Sequence, residues 1–259
     1  MLRAPTRVVV LSAVLSLLST AGGGVAASEI RTAAQQGTEP KFQSAGAADG
    51  RVVGICVDIM RAVEKLDPGL KFTGDQSWQP LPRIYSGLDR GVQDASCGLS
   101  HSPERDKKYA YVGPPLFSIR YYLVARSDDP ALIANWDDLR KLAPDNVVLA
   151  NRGFAGVTVL EAAGVAQIDA GAADPKLNLQ KLLAHRGRFF FHRTPGLQAV
   201  LDRSGMAAKF KILPTVMAVS PLYFVVGKQL DPAVVERLRT ALQTLEKSGE
   251  LERIAKAWE

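Results

Sequence analysis

The sequence predicts an α/β protein of two lobes, the second inserted into the first, with two crossing segments between them that form a hinge. Three observations lead there. From Ser28 onward, short β-like runs alternate with amphipathic helical ones, as βαβ units on a parallel sheet do. Two strand-like runs, over 119–125 and 222–226, divide that alternation into blocks. The helices after the second run have only the first block to pack on, so the chain visits lobe one, lobe two and lobe one again. The expected boundaries are 28–119 with 220–259 for the first lobe and 120–219 for the second. Two crossings make a hinge, and hinge closure around a ligand is a known use of that arrangement.

Residues 1–27 stand apart. Arg3 and Arg7 precede an apolar run over 8–18, and small residues follow to Val25-Ala26-Ala27, the order of a secretory signal peptide cleaved after Ala27. The run is shorter than the ~20 residues of a membrane span, and Gly22-Gly23-Gly24 dilutes its end. No cysteine stands at the cleavage point to carry a lipid, and no later segment is long and apolar enough to cross a bilayer.

In the first lobe a strand is expected over 30–34, then a helix over 57–66 that Asp67-Pro68-Gly69 stops. A strand over 70–73, a helix over 84–90 and a strand over 94–98 complete it. The inserted block reads as a strand over 147–150, helices over 153–163 and 177–184, and a strand over 189–191. Thr194 is the expected cap of a helix running to residue 203, with Pro195 in its first turn, before a strand over 209–213. Asp231-Pro232 opens a helix in which Val234, Val235, Leu238, Leu242 and Leu245 recur at helical spacing, and Ser248-Gly249 ends it before a last helix to Trp258.

Composition narrows the function. The 259 residues are 47% hydrophobic and 22% charged, enough for one large or two medium cores. Lys and Arg number 32 against 26 Asp and Glu, and removal of Arg3 and Arg7 leaves 30. That mild, dispersed excess points to small anionic ligands and away from nucleic acid, which is met by a concentrated basic stripe. The two cysteines, Cys56 and Cys97, are either a disulfide of an oxidising compartment or two buried thiols. With His101, His185 and His192 they form no zinc spacing, and no metal or cofactor is expected.

Ligands of open α/β sheets sit beyond the carboxyl ends of the strands. The strand over 94–98 delivers the chain into Ser100-His101-Ser102-Pro103-Glu104-Arg105. A guanidinium and two hydroxyls there suit a carboxylate, gripped bidentately by the arginine. The same residues also read as a helix cap, a first-turn proline and a solvated pair, and the spacing leaves both readings open.

Three stretches carry a resemblance to a known family: Gly54-Ile55-Cys56-Val57-Asp58-Ile59, then Gly91-Val92-Gln93-Asp94-Ala95, then Ser100 to Arg105. With Tyr111-Val112-Gly113-Pro114-Pro115-Leu116 and the tail over 242–258 they resemble the extracellular solute-binding proteins of family 3, the type II periplasmic binding proteins of polar amino acid importers. The resemblance implies a two-lobed periplasmic monomer without catalytic residues that serves an inner-membrane ABC permease, with Arg105 and Ser100 on the carboxylate of an amino-acid-like ligand. Ser102 is a further candidate contact. The family's Gly-Arg-x-Asp-Ala-x-x-x-Asp run stands here as Gly187-Arg188-Phe189-Phe190-Phe191-His192-Arg193-Thr194-Pro195. Its last Asp, the α-ammonium acceptor, is missing. A buried ammonium without a carboxylate costs several kcal/mol, so an anion lacking that amine fits better, with His192 or Arg193 as second-lobe contacts. Trp78 and Phe42 are candidate aromatic walls, Arg152 and Gly153 candidate contacts at a helix start, and Asp58 a structural carboxylate. Two alternatives stand beside the importer reading. One is an accessory protein of a periplasmic quinoprotein dehydrogenase system. The other is a dehydratase-like enzyme, for which Glu104 and His101 are the nearby acid-base candidates. A sensory role is not expected, since no signalling domain follows Trp258.

Overall fold

The computed structural model describes Met1, residues 27–46 and residues 49–258; the expected export segment otherwise lies outside the described residues. The chain opens with β1 (Ser28–Arg31), β2 (Ala34–Gln35), β3 (Gln43–Ser44), β4 (Val52–Val53) and α1 (Ile55–Leu66). It continues through β5 (Leu70–Thr73), β6 (Trp78–Gln79), α2 (Leu81–Asp89), β7 (Ala95–Leu99) and α3 (Pro103–Lys108). The long β8 (Tyr109–Arg126) leads to α4 (Trp136–Lys141), β9 (Val148–Leu149), α5 (Ala155–Ala162), β10 (Ile168–Asp169) and α6 (Pro175–Leu183). After β11 (Phe189–Thr194), α7 (Leu197–Ser204) and β12 (Phe210–Ile212), β13 (Ala218–Gly227) returns to α8 (Pro232–Lys247) and α9 (Glu250–Lys256).

Two cores form, one from residues 30–117 and 222–254, the other from residues between 121 and 217. In the first, α1 buries Ile55, Cys56, Ile59, Met60 and Val63, one stripe at helical spacing. Gly54 precedes it at φ +132°, because a Cβ there would lie 2.6 Å from the carbonyl oxygens of both Pro40 and Lys41. Those oxygens accept from the N–H groups of Ile55 (3.2 Å) and Cys56 (3.1 Å), two of the donors a helix start leaves unpaired. At its other end Asp67 accepts from Arg237 of α8 at 2.8 and 2.5 Å, and Trp258 Nε1 donates to Asp58 at 2.7 Å. The tail therefore packs against α1.

In the second lobe the strand alternation divides three consecutive phenylalanines between two faces. Phe189 and Phe191 face one cluster with Leu123 and Leu160, and Phe190 faces the other with Val124, Leu149 and Leu179. Burying each ring contributes about 2–3 kcal/mol. The sheet order is β10-β9-β11-β8-β13-β7, with β12 also on β8. The first part of β8, up to Tyr121, pairs antiparallel with β13, and residues 120–126 pair with β11 and β12. The expected crossings over 119–125 and 222–226 are thus parts of two long strands hydrogen-bonded to each other, with a register shift between Leu222 and Phe224.

Thr194 is not a helix cap. It completes the β11–β8 ladder opposite Arg120, and Gly196, at φ +107°, starts α7 instead. The helix expected over 84–90 begins at Leu81, with Pro82 in its first turn. A helix absent from the expectations, α4, is capped by the Asn135 side chain, which accepts from Asp138 N–H at 3.0 Å.

Arg188, in the segment that departs from the family's run, donates to the buried Asp129 at 2.9 and 3.2 Å. Burial is the strongest single influence on Asp129 and opposes its ionisation, but the bonds from Arg188 and the Ala131 N–H, with the charges of Arg188 and Arg126, together outweigh it and hold the carboxyl below its usual range. A carboxyl with a depressed folded-state pKa stabilises fully above its unfolded value of about 4 and loses that contribution as pH falls further. Asp129→Asn should therefore lower the urea midpoint at pH 7, with the deficit shrinking below pH 4; a deficit independent of pH refutes the ion-pair account.

Cys56 and Cys97 are bridged, with Cα atoms 5.9 Å apart, tying α1 to β7 across a separation of 41 residues. Loop closure of that length corresponds to about 4 kcal/mol in the chain-entropy model. Urea unfolding of the double Cys→Ala variant should show a loss of about 2–5 kcal/mol, and a loss below about 1 kcal/mol would show that the bridge constrains little.

Candidate functional site

All five residues of β7 are buried, so the strand fixes where the segment from Ser100 to Arg105 emerges. Ser102 Oγ accepts from the Arg105 N–H at 3.3 Å and Pro103 occupies the first turn, which starts α3 just beyond His101. Within that short turn Arg105 Nη1 donates back to the Ser100 carbonyl and, at 3.1 Å, to Ser100 Oγ. The Tyr111 hydroxyl donates to the same carbonyl at 3.0 Å. The guanidinium is thereby held at the end of β7 by neutral oxygens alone.

A second cation reaches the same place from the loop after β2. The main chain of Lys41 is fixed by the bond from Cys56 N–H, and its side chain runs past Gly98, where a Cβ would stand 2.5 Å from Lys41 Cδ. Gly98 at φ +77° therefore opens the channel that the lysine stem fills. Lys41 Nζ donates to Gln35 Oε1 at 2.5 Å and to the Gly98 carbonyl at 3.0 Å. The residue is only 6% exposed. Burial first, then the charges of Arg193 and Arg105, push its pKa down to about 7.

The third cation comes from the second lobe. Arg193 of β11 donates to the carbonyls of Pro195 (3.3 Å) and Glu39 (3.2 Å), and desolvation lowers its pKa. Next to it His192 is buried, and desolvation together with Arg193 and Arg203 pushes its pKa down to about 3, so its ring is neutral at ordinary pH. Arg105, Lys41 and Arg193 line one cavity of about 410 Å³ between the lobes. Phe117, Ile119 and Tyr121, alternate residues of β8, form part of its wall with Phe154 and Phe191. Among the described residues no Asp or Glu lines it, and none of the three cations makes an ion pair. The α5 helix starts beside it at Phe154 without a side-chain cap.

Of the residues singled out by sequence, Arg105, Ser100, Gly153, His192 and Arg193 line this cavity. Four others lie elsewhere. Ser102 is occupied as the α3 cap. Phe42 is 1% exposed inside the first core, under α1, and is not a cleft wall. Trp78 pairs with Ala34 across β6 and β2 and packs on the same core. Arg152 is exposed and borders a separate surface depression with Asp174 and Gln180. Glu104 and His101 do not line the cavity; His101 stacks on Tyr111 at 3.6 Å between centroids and contacts Asp106 at 2.9 Å. Among the described residues no cluster of His, Cys, Asp and Glu is placed to hold a metal ion, and no helix is long and apolar enough to cross a membrane. Sequence reasoning missed Lys41 and Gln35. The available signal was a lysine between Pro40 and an apolar Phe42, directly after the first strands.

The same two-lobed architecture occurs in solved structures. The probable amino-acid ABC transporter extracellular-binding protein ytmK from Bacillus subtilis superposes with a TM-score of 0.73 at 16% identity, over 90% of this chain and 97% of that one. An amino acid ABC transporter substrate-binding protein from Streptococcus pneumoniae, bound to L-arginine, gives 0.65 at 15% identity over 88% and 93%. A histidine kinase sensor domain with similarity to periplasmic binding proteins gives 0.66 at 19% identity over 90% and 96%. These likenesses show the type II periplasmic binding protein fold. No curated protein matches the chain in sequence. The profile of the bacterial extracellular solute-binding proteins, family 3, matches residues 32–259, nearly all of the chain beyond the expected export segment, and the chain belongs to that family.

Proposed function

We propose that this protein is the periplasmic component of an ABC importer, a monomer that captures a small carboxylate-bearing solute between its two lobes and delivers it to an inner-membrane permease. The observation that carries this reading is a cavity between the lobes with Arg105 and Ser100 on its wall and no carboxylate among its described residues. An arginine fork meets a carboxylate in two parallel charge-assisted bonds, and the Ser100 hydroxyl already bonded to it is placed to share the load. The lobe limits, 28–119 with 220–259 and 120–219, put Arg105 in one half and Arg193 in the other, so closure would bring both to one solute.

The cavity's charge also narrows the solute. The streptococcal relative is bound to L-arginine, a ligand with two cationic groups. Such groups need acidic acceptors when they leave water, and an uncompensated one costs several kcal/mol. Here they would face Lys41 and Arg193 instead, so the reading is a carboxylate without an accompanying amine. The neutral His192 is available to accept or donate one hydrogen bond, not to compensate charge.

A thermal-shift screen of the mature protein against amino acids, keto acids, dicarboxylates and aromatic acids tests this. Binding stabilises by about 2.7 kcal/mol when ligand stands at a hundredfold its dissociation constant. Hits should be anions, and Arg105→Ala should abolish their stabilising effect while keeping the unliganded melting temperature within a few degrees. Arginine or lysine as the best stabiliser, or normal affinity in Arg105→Ala, refutes the assignment. Chemical turnover of a hit would move the protein to the enzyme reading.

A further inference from the structure

The single clamp at Arg105 leaves two cations of the same cavity unexplained. Resting on the carboxylate reading above, we propose that Lys41 and Arg193 form a second anion subsite in the same cavity, so that the solute is an organic dianion, a dicarboxylate with an apolar body, one acid group held by Arg105 and Ser100 and the other by Lys41 and Arg193. A monocarboxylate would neutralise one of the three positive groups and leave the others confined.

Three facts support it. First, the three cations come from different elements, the loop after β2, α3 and β11, yet line one cavity, and Lys41 feels the charges of both arginines. Second, their partners are neutral: Gln35 and the Gly98 carbonyl for Lys41, Ser100 for Arg105, and the carbonyls of Pro195 and Glu39 for Arg193. Lys41, drawn from water with only neutral hydrogen-bond partners, raises the energy of the empty protein, and an anion entering beside it releases that energy on binding. Third, the fold makes room for the buried lysine with two glycines, Gly54 and Gly98, at which any side chain would strike its backbone or its stem. The wall of alternating Phe117, Ile119 and Tyr121 with Phe191 is apolar and aromatic, matching a hydrocarbon or aryl body between the two acid groups.

The geometry carries a proton consequence. With Lys41 titrating at about 7 in the empty cavity, a second carboxylate beside it restores its charge. The charged groups facing it are Arg105 from α3 and Arg193 from β11, while Gln35 and the carbonyl of Gly98 do not titrate and His192 is neutral above about pH 3. Dianion affinity should therefore fall about tenfold from pH 6 to pH 8, with close to one proton taken up per solute at pH 8. In the empty protein the sign is opposite in use. Between pH 7 and the lysine's ordinary value of about 10 the unfolded chain holds a proton that the folded one does not, so native stability rises with pH. Lys41→Met should then raise the melting temperature more at pH 6 than at pH 9.

Calorimetry on the mature protein with matched acids separates the possibilities: butyrate with succinate, valerate with glutarate, p-toluate with terephthalate. We expect at least one dicarboxylate to bind tenfold or more tightly than its partner. Lys41→Met and Arg193→Met should each collapse that ratio toward one, whereas Arg105→Ala removes binding of both members. Titrations of the unmodified protein in buffers of different ionisation enthalpy read the proton uptake without depending on any variant. Equal affinity for both members of every pair, lost in Arg105→Ala, overturns the second subsite and leaves the carboxylate reading standing. Absence of binding by any acid overturns both. A dicarboxylate preference that survives Lys41→Met and Arg193→Met, or comes without proton uptake at pH 8, overturns the assignment to these residues.

Discussion

The pairing of β8 with β13 is the constraint on which the arrangement depends. The two strands are hydrogen-bonded to each other where the chain passes between lobes, and β8 then exchanges that partner for β11 and β12 over its last residues. Two hydrophobic cores are thus hung on one continuous ladder. A ladder of backbone bonds resists being pulled apart but tolerates twist, and the register shift between Leu222 and Phe224 marks where its regularity already breaks. Because side chains alternate along a strand, the same stretch of β8 that links the lobes also presents Phe117, Ile119 and Tyr121 to the space between them. The link between the lobes and the cavity wall are one piece of chain.

Charge is organised on that frame by backbone that has no charge of its own. The carbonyls of Pro40 and Lys41 receive the first N–H groups of α1, the carbonyl of Gly98 receives the lysine, and the carbonyl of Ser100 receives Arg105. Each oxygen satisfies a donor without neutralising it, so the cavity keeps its positive potential while few buried donors go unpaired. Several arginines elsewhere follow the opposite rule. The arginines that fasten its architecture, Arg31, Arg188 and Arg237, each meet an aspartate. These paired arginines contrast with the cavity cations, whose hydrogen-bond partners are neutral. Arg188, in the second-lobe segment where this chain departs from the family's run, is among the fastening arginines.

The disulfide acts at the junction of these two systems. It joins Cys56, whose N–H fixes the Lys41 carbonyl, to Cys97, the neighbour of Gly98. A covalent link there holds α1 and β7 at the separation through which the lysine stem passes, so rigidity of the first lobe and placement of its buried cation have a common cause.

Much of this was legible in the residues because it is local. The βαβ alternation, the two crossings, the cap at Asp231 and the proximity of Ser100 to Arg105 each depend on spacing within a few residues, where periodicity and helix-end chemistry decide the outcome. Phe42 and Trp78 show the limit: an aromatic side chain that suits a cleft wall suits a core equally, and only packing against α1 and β2 assigned both to the core. Thr194 shows another, for a residue fit to cap a helix was taken by a strand ladder whose partner lies 74 residues away. The bridging of Cys56 to Cys97 and the meeting of Lys41, Arg105 and Arg193 were settled by tertiary structure alone. Neither the sulfurs nor the cations have any tendency to find one another along the chain; they are brought together because burial of apolar surface on either side of the shared strands leaves that cavity between the lobes.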